Sequence, residues 1–539
     1  MATIVKIFDT TLRDGTQGEG ISLSVEDKMK IARRLDSLGV HYIEGGWPGS
    51  NNKDIEFFLR VHELELVNAK VTAFGSTRRK GIAPEDDANL NRILEVGVPV
   101  ATIFGKSWDF HVHHAIQTTL EENLAMIYDS VHYLKSKGLE VIYDAEHFFD
   151  GYKNNTEYAL QTIKKAEEAG ADWIVLCDTN GGSLPHEVSE IVSAVKRAVS
   201  VPIGIHAHND CEVGVANSLA AVMAGATQVQ GTINGFGERC GNANLCSIIP
   251  NLQLKLNYSC ISPLQLESLT SVSRYVSEIA NMHLPVNQAY VGTASFAHKG
   301  GIHVSAIMRN ASTYEHITPE LVGNKQRVLV SELAGQSNLL FKAQELGLDF
   351  NTTNQQSRQL IEQIKEMEHQ GYQFEGADAS LELLIRDAYG NLEEIFTLES
   401  FKIMVVKSIN QPVVTEAIVK MKINGESVYN AAEGNGPVNA LDNALRKCLL
   451  QYYPTLKNIH LTDYKVRVLD EKDNTAGIVR VLIESTDFDN TWSTIGVSAN
   501  IIEASWQALT DSIRYALIGQ ARAHVHTEEQ KMRLGLVNH

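Results

Sequence analysis

Pro202-Ile203-Gly204-Ile205-His206-Ala207-His208-Asn209-Asp210 places two imidazoles one residue apart at the end of an alternating apolar run. Such a run reads as a buried strand, and the strand's period of two turns both rings the same way. Two neutral imidazoles so placed suit a borderline divalent ion, and a third ligand from elsewhere would leave positions open for substrate. Taken alone, the pair is better explained as polar residues at a strand end. The loop Asp9-Thr10-Thr11-Leu12-Arg13-Asp14-Gly15-Thr16-Gln17 changes the balance. Asp14 offers an anionic oxygen to the same ion, and Arg13 beside it can hold a carbonyl oxygen as negative charge develops there. The bland alternative is a surface ion pair in a turn. A glycine-rich stretch, Gly235-Phe236-Gly237-Glu238-Arg239-Cys240-Gly241-Asn242-Ala243, either carries the amide of Asn242 into the same shell or is a plain strand-to-helix turn.

These residues meet only if a fold brings distant segments together. From Thr3 to about Asn251, short β-branched runs alternate with stretches of helical period. Strands are predicted at Ile4–Asp9, Tyr42–Gly45, Val71–Ser76, Val100–Gly105, Glu140–Glu146, Trp173–Asp178, Ile203–His208 and Gln228–Asn234. Eight strands, each followed by a helical stretch, predict an α/β fold, a (β/α)8 TIM barrel over residues 1–257. An open doubly wound sheet competes, but no GxGxxG follows the first strand. Asp9, Glu44, Ser76, Lys106, Glu146, Asp178 with Thr179, His206 with His208, and Asn234 all fall at C-terminal strand ends. That rim is where barrel enzymes carry their chemistry.

Residues 258–393 read as a mainly helical linker or lid, with His298, His303, Tyr314 and His316 in its loops and Glu362–Glu375 as a solvated helix before a boundary. Residues 394–539 then repeat a strand, strand, helix rhythm twice. The first unit is Phe401–Ser408, Val413–Ile423 and a helix opened by Gly434-Asn435-Gly436-Pro437; the second is Tyr464–Leu469, Gly477–Thr486 and a helix over Ser505–Ala523. This predicts a small α+β domain for binding or regulation. Six cysteines without CxxC spacing predict buried reduced thiols. A net charge of -18 argues against nucleic-acid or anionic-membrane partners, and no apolar run is long enough to span a bilayer. The opening residues run directly into a strand pattern, so a cytoplasmic protein with small-molecule ligands is expected.

The motifs Thr10-Thr11-Leu12-Arg13-Asp14-Gly15-x-Gln17, His206-Ala207-His208-Asn209-Asp210 and Gly237-Glu238-Arg239-Cys240-Gly241-Asn242-Ala243 resemble the signatures of the DRE-TIM metallolyase superfamily. Within it, the chain resembles the 2-isopropylmalate, homocitrate and citramalate synthase family over nearly its whole length. Gly434-Asn435-Gly436-Pro437-Val438 is similar to that family's allosteric domain, which binds an amino acid. Glu44-Gly45-Gly46-Trp47-Pro48-Gly49-Ser50-Asn51, Leu321–Asn324 and Leu329–Gly335 resemble the longer citramalate synthases most. The resemblance implies a divalent metal, Mg2+ or Mn2+ with Zn2+ as a further candidate, on Asp14, His206 and His208, with Asn242 nearby or ligating. It implies Arg13 on the keto oxygen of a 2-oxo acid and Thr179 on its carboxylate. Glu146, His303 and Tyr314 are the remaining catalytic residues it implies, the last two from beyond the barrel. The setting of Glu146, Tyr143-Asp144-Ala145-Glu146-His147-Phe148, departs from the isopropylmalate synthase pattern, and Asp144 two residues before it leaves the assignment between the two carboxylates open.

The reaction so implied condenses acetyl-CoA with pyruvate and water to give (R)-citramalate and CoA. His303, alone or with Glu146 and Tyr314, is the candidate base for the acetyl methyl group, because an imidazole titrates near neutral pH and can be aimed by a carboxylate, and Glu146 itself remains the alternative. An isoleucine effector and a homodimer belong to the same implication. Trp47 and Phe104 are candidate walls for the side chain of the 2-oxo acid. Arg78-Arg79-Lys80, after the third strand, is either a solvated basic turn or a contact for the CoA phosphates. Competing readings are condensation with 2-oxoisovalerate or 2-oxoglutarate, carbon-carbon cleavage on the same metal barrel, and a catalytically silent amino-acid sensor.

Overall fold

The computed structural model describes residues 3–329, 338, 341–342, 354–389, 394–410, 412–469, 477–487 and 490–533. Residues 330–335, part of the Leu329–Gly335 segment read above, lie outside the described residues. Eight parallel strands close a barrel in sequence order: β1 (Lys6–Asp9), β2 (Tyr42–Gly46), β3 (Lys70–Ser76), β4 (Val100–Lys106), β5 (Glu140–Glu146), β6 (Trp173–Asp178), β7 (Ile203–Ala207) and β8 (Gln228–Gly231). The ring closes where β1 pairs with β8, Lys6 opposite Gln228. The predicted TIM barrel is therefore present and the open sheet is not. The eighth strand stops short of its predicted end because the chain turns there, with Asn234 at φ 63°.

Parallel strands covered on both faces read as nearly continuous apolar runs, and Val100, Ala101, Thr102 and Ile103 of β4 are all buried. Helices are bounded by local chemistry. The helix Val25–Leu38 starts at Ser24, whose hydroxyl accepts the Asp27 amide while the Asp27 carboxylate accepts the Ser24 amide. It stops at Gly39, whose φ of 87° suits a residue without Cβ. Phe8, Tyr42, Val100, Ile142, Val175 and Cys177 fill the lumen. A larger cluster, including Ile43, Phe57, Ile127 and Val192, lies between the strands and the surrounding helices. The barrel is thus plugged with side chains, and its polar rim is left for chemistry.

The chain divides into two compact units, Met1–Ala297 with Glu315–Gln326, and His298–Tyr314 with Arg327–His539. The second unit is α+β, as predicted, but each repeat holds three antiparallel strands. They are Phe396–Val406, Val414–Ile423 and Glu426–Gly434, then His460–Val468, Val479–Thr486 and Thr491–Ser498. Helices Pro437–Leu449 and Ile501–Arg533 follow the two sheets. The first missed strand had a signal: Asn424-Gly425, at φ 52° and 84°, is a two-residue hairpin turn of the kind that strand twist favours. Glu362–Glu375 is not solvated throughout. The helix Asn354–His369 buries Leu360 and Ile364, which cluster with Phe374, Ile385 and Ile495. All six cysteines are free, but Cys211 and Cys240 are exposed, because both lie in rim loops rather than in a core. Among the described residues no helix is long and apolar enough to cross a membrane.

Candidate active site

The loop after β1 is built on Asp9, whose carboxylate accepts the Thr11 amide and the Thr11 hydroxyl, each at 2.9 Å. Thr11 Oγ1 accepts the Ile233 amide at 2.9 Å, tying the first loop of the barrel to the last. This places Asp14 Oδ2 3.2 Å from His206 Nε2 and 3.9 Å from His208 Nε2. One ligand atom from each of the three buried residues lies within 4.8 Å of the other two. The β7–β8 register sets His206 beside Gln230, and His206 Nδ1 donates to Gln230 Oε1 at 2.7 Å. Gln230 Nε2 in turn donates to Asp144 Oδ1 at 3.1 Å. His208 Nδ1 donates to the Asp178 carbonyl at 3.3 Å. With both Nδ1 atoms so engaged, both rings turn Nε2 toward Asp14, and a shared cation would take the place of the proton that His206 Nε2 shares with that carboxylate.

The glycine-rich loop runs antiparallel to this strand end, with His208 bridged to Asn242 and the Asn209 amide donating to Gly241. A Cβ at Gly241, where φ is 86°, would stand 2.1 Å from the Gly235 carbonyl, so only glycine lets the loop fold back this tightly. Asn242 Oδ1 is buried without a hydrogen-bond partner. Its amide nitrogen donates to the Phe236 carbonyl at 3.2 Å. One carboxylate and two imidazoles converging in this way, with an orphaned amide oxygen on the residue bridged to His208, make a donor set that fits a divalent ion, and the open cavity leaves it room for substrate oxygens.

Electrostatics sort these groups strongly. Burial works against the Asp14 charge, but Arg13, then His206 and His208, outweigh it and hold the carboxyl well below the usual range. Burial likewise opposes charge on His206, yet Asp14 pushes that imidazole up to about 9. Burial, then the His206 charge, pull His208 down to about 4. Asp144 is pushed up to about 7 by burial.

Arg13 is held on three sides. Its Nε donates to Glu44 Oε2 at 2.6 Å, a terminal nitrogen lies 3.2 Å from Asp14, and the guanidinium carbon stands 3.8 Å from the Phe74 ring centroid. Thr10 donates to the same Glu44 oxygen. A planar cation so fixed presents its remaining donors in one orientation.

A cavity of 230 Å3 opens on Arg13, Asp14, His206 and His208, and is walled by Trp47, Phe74 and Phe104. The Trp47 ring meets both phenylalanines edge-on, at 5.5 and 5.7 Å between centroids. Trp47 is pinned by its backbone amide on Asp54 at 2.8 Å and by Nε1 on Asn89 at 2.6 Å. Glu146 and Thr179 also line the cavity. Glu146 pairs with Lys106, its register partner on β4. Thr179 Oγ1 accepts the His147 amide at 2.9 Å, which leaves the hydroxyl hydrogen for an acceptor in the cavity.

Seven of the residues read from the sequence therefore belong to the barrel mouth: Arg13, Asp14, Glu146, Thr179, His206, His208 and, in the loop alongside, Asn242. His303 and Tyr314 belong to the second unit, where their rings stack at 4.0 Å between centroids. Asp178 and Asn234 are structural: the first accepts from Ser183 and the second from Ser273. Gln230 and Phe74 were not singled out from the sequence. A polar residue at alternate positions of β8, Gln228 and Gln230, was the available signal. Arg78 is taken by Glu122 and Asp129, both at 2.8 Å, so the basic turn is not uniformly solvated.

Residues 4–276 match the HMGL-like family model, 290–372 the homocitrate synthase post-HMGL domain-like model, and 375–517 the LeuA allosteric (dimerisation) domain. The (R)-citramalate synthase of Geobacter sulfurreducens is 56% identical over 516 residues, covering 96% of this chain and 98% of that one. That of Aquifex aeolicus is 55% identical, with the same coverage. The 2-isopropylmalate synthase of Methanocaldococcus jannaschii is 32% identical, with 95% of each chain covered. A barrel mouth built on Asp14, His206 and His208, an LeuA-type domain over residues 375–517 and full-length likeness agree: the chain belongs to the HMGL-like family, in its (R)-citramalate synthase branch.

Proposed function

We propose that this site condenses acetyl-CoA with pyruvate and water, giving (R)-citramalate and CoA. The observation that carries the reading is the 230 Å3 cavity, whose aromatic wall closes on the same space as Arg13, Asp14 and the two histidines. A methyl group suits that apolar wall. Asp14, His206 and His208, with Asn242 alongside, would hold a divalent ion, which would supply Lewis acidity toward the oxygens of the 2-oxo acid. Arg13 donates to the keto oxygen and stabilises it as the alkoxide forms. Thr179 donates its free hydroxyl hydrogen to the carboxylate.

Glu146 takes a proton from the acetyl methyl group, and Lys106 holds its carboxylate in place. The enolate carbon bonds to the keto carbon, the alkoxide is protonated, and water cleaves the thioester to release CoA. His303 is the alternative base, with Tyr314 beside it. Glu146→Gln and His303→Ala separate the two. With Glu146 as base, Glu146→Gln loses about 10²-fold or more in kcat and in exchange of the acetyl methyl protons with solvent, and His303→Ala keeps that exchange. The opposite pattern gives the role to His303.

Thiol release from acetyl-CoA with a panel of 2-oxo acids tests the whole reading. Pyruvate is expected to be turned over best. Equal or better turnover of 2-oxoisovalerate would move the assignment to 2-isopropylmalate synthesis, and of 2-oxoglutarate to homocitrate synthesis. Mg2+ or Mn2+ as the ion, isoleucine as effector of the LeuA-type domain, a homodimer and a cytoplasmic location complete the proposal.

A further inference from the structure

His147, at φ 56°, and Arg239, at φ 55°, stand at the barrel mouth in the left-handed backbone region, and both spend a donor on one residue. The His147 amide donates to Thr179 Oγ1 at 2.9 Å, and Arg239 Nη2 donates to the Thr179 carbonyl at 2.8 Å. A side chain on a left-handed backbone is costly and persists only where the surroundings hold it there. We propose that Arg239 is a positioning residue for the 2-oxo acid, fixing Thr179 from its main-chain side so that the hydroxyl is already aimed when the substrate carboxylate arrives. The inference rests on the proposed condensation, in which Thr179 receives that carboxylate.

Three observations support it. Arg239 ties together three rim loops. It stands in the loop after β8, it reaches Thr179 in the loop after β6, and its Nε and Nη2 donate to the two carboxylate oxygens of Asp210, after β7, at 2.7 and 2.9 Å. A two-pronged pair of this kind fixes the plane of the guanidinium, and with it the direction of the third bond to Thr179. Next, the loops are in close contact where the clamp sits. A Cβ at Gly181, where φ is 59°, would stand 2.4 Å from Asp210 Oδ2, so the Asp210 carboxylate lies directly against the Thr179 loop. Last, the clamp is a poor device for stability. The Arg239 side chain is 40% exposed, and an ion pair so open to water adds little to folding. The same loops have other ties, with the Cys211 amide on the Gly181 carbonyl at 3.2 Å and the Asn209 amide on the Gly241 carbonyl at 2.9 Å. Opening the clamp therefore frees Thr179 and leaves the fold in place.

Arg239 also lines the cavity, so the test must separate a guanidinium that aims Thr179 from one that binds the substrate itself. Arg239→Ala, Asp210→Ala and the double variant of the full chain are compared, with Mn2+ supplied. Each single variant is expected to raise the KM for pyruvate about tenfold, with kcat, the KM for acetyl-CoA, the bound Mn2+ and the melting temperature unchanged. The double variant is expected to be no worse than either single one, because removing either partner already opens the clamp. Arg239→Lys is expected not to restore the KM, since an ammonium cannot bridge Asp210 and the Thr179 carbonyl in one plane. A raised KM in Arg239→Ala with a wild-type KM in Asp210→Ala would mean that the guanidinium binds the carboxylate directly, and would overturn the positioning role. A wild-type KM in both variants, or loss of Mn2+ from either, would overturn it as well. Calorimetric titration with pyruvate separates this result from the reaction. A Kd raised about tenfold in both single variants, from a parent that releases no thiol with any 2-oxo acid, would uphold the clamp and overturn the condensation.

Discussion

His208→Ala is expected to retain its far-ultraviolet ellipticity and melting transition while losing its divalent ion and about 10³-fold or more in turnover. His208 is one of three ligand atoms converging within 4.8 Å, and its Nδ1 is already engaged with the Asp178 carbonyl. Removing the ring leaves Asp14 and His206, which already contact each other at 3.2 Å and would close into a simple ion pair. The fold does not depend on His208. β7 is held by ladders to β6 and β8 and by buried Ile203 and Ile205, none of which the substitution touches. Elemental analysis after dialysis, with turnover at saturating acetyl-CoA, checks both halves. One ion per chain or wild-type turnover in the variant would refute the ligand assignment.

Arg13→Lys keeps the charge and is still expected to lower kcat by about 10²–10³-fold, with the KM for pyruvate changed far less. The native guanidinium bonds Glu44 at 2.6 Å, lies 3.2 Å from Asp14 and stacks 3.8 Å over Phe74. An ammonium has no planar fork and cannot satisfy those contacts while also aiming a donor at the keto oxygen. It would also leave Glu44 under-bonded in a fully buried position, where its Oε1 already has no partner. The distinguishing measurement is the split between kcat and KM. A large KM change with kcat preserved would mean that Arg13 only binds the substrate, and the transition-state role would be withdrawn.

Much of this arrangement was legible because it is local and periodic. The eight strands stand out as apolar, β-branched runs, and the period of two by itself turns His206 and His208 to one side. The residue types of the Thr10–Gln17 loop offered a ligand and a guanidinium, with a surface ion pair as the competing reading. The third strand of the first sheet in the second unit was passed over for a comparable local reason. Glu426–Gly434 carries Glu426, Ser427, Asn430 and Glu433 on both faces and is largely exposed, so its apolar signal is weak and only the Asn424-Gly425 turn betrays it.

Residue order alone marked out the eight barrel strands, the polar residues near their C-terminal ends and which motifs sit together along the chain. Tertiary structure decided which of them touch. That His206 leans on Gln230, that Glu146 pairs with Lys106, and that Trp47, Phe74 and Phe104 from three different strand ends make one wall are consequences of strand register and barrel closure. Register is a relation between segments far apart in the chain, set by how all eight strands twist and pack at once. No window of sequence contains it.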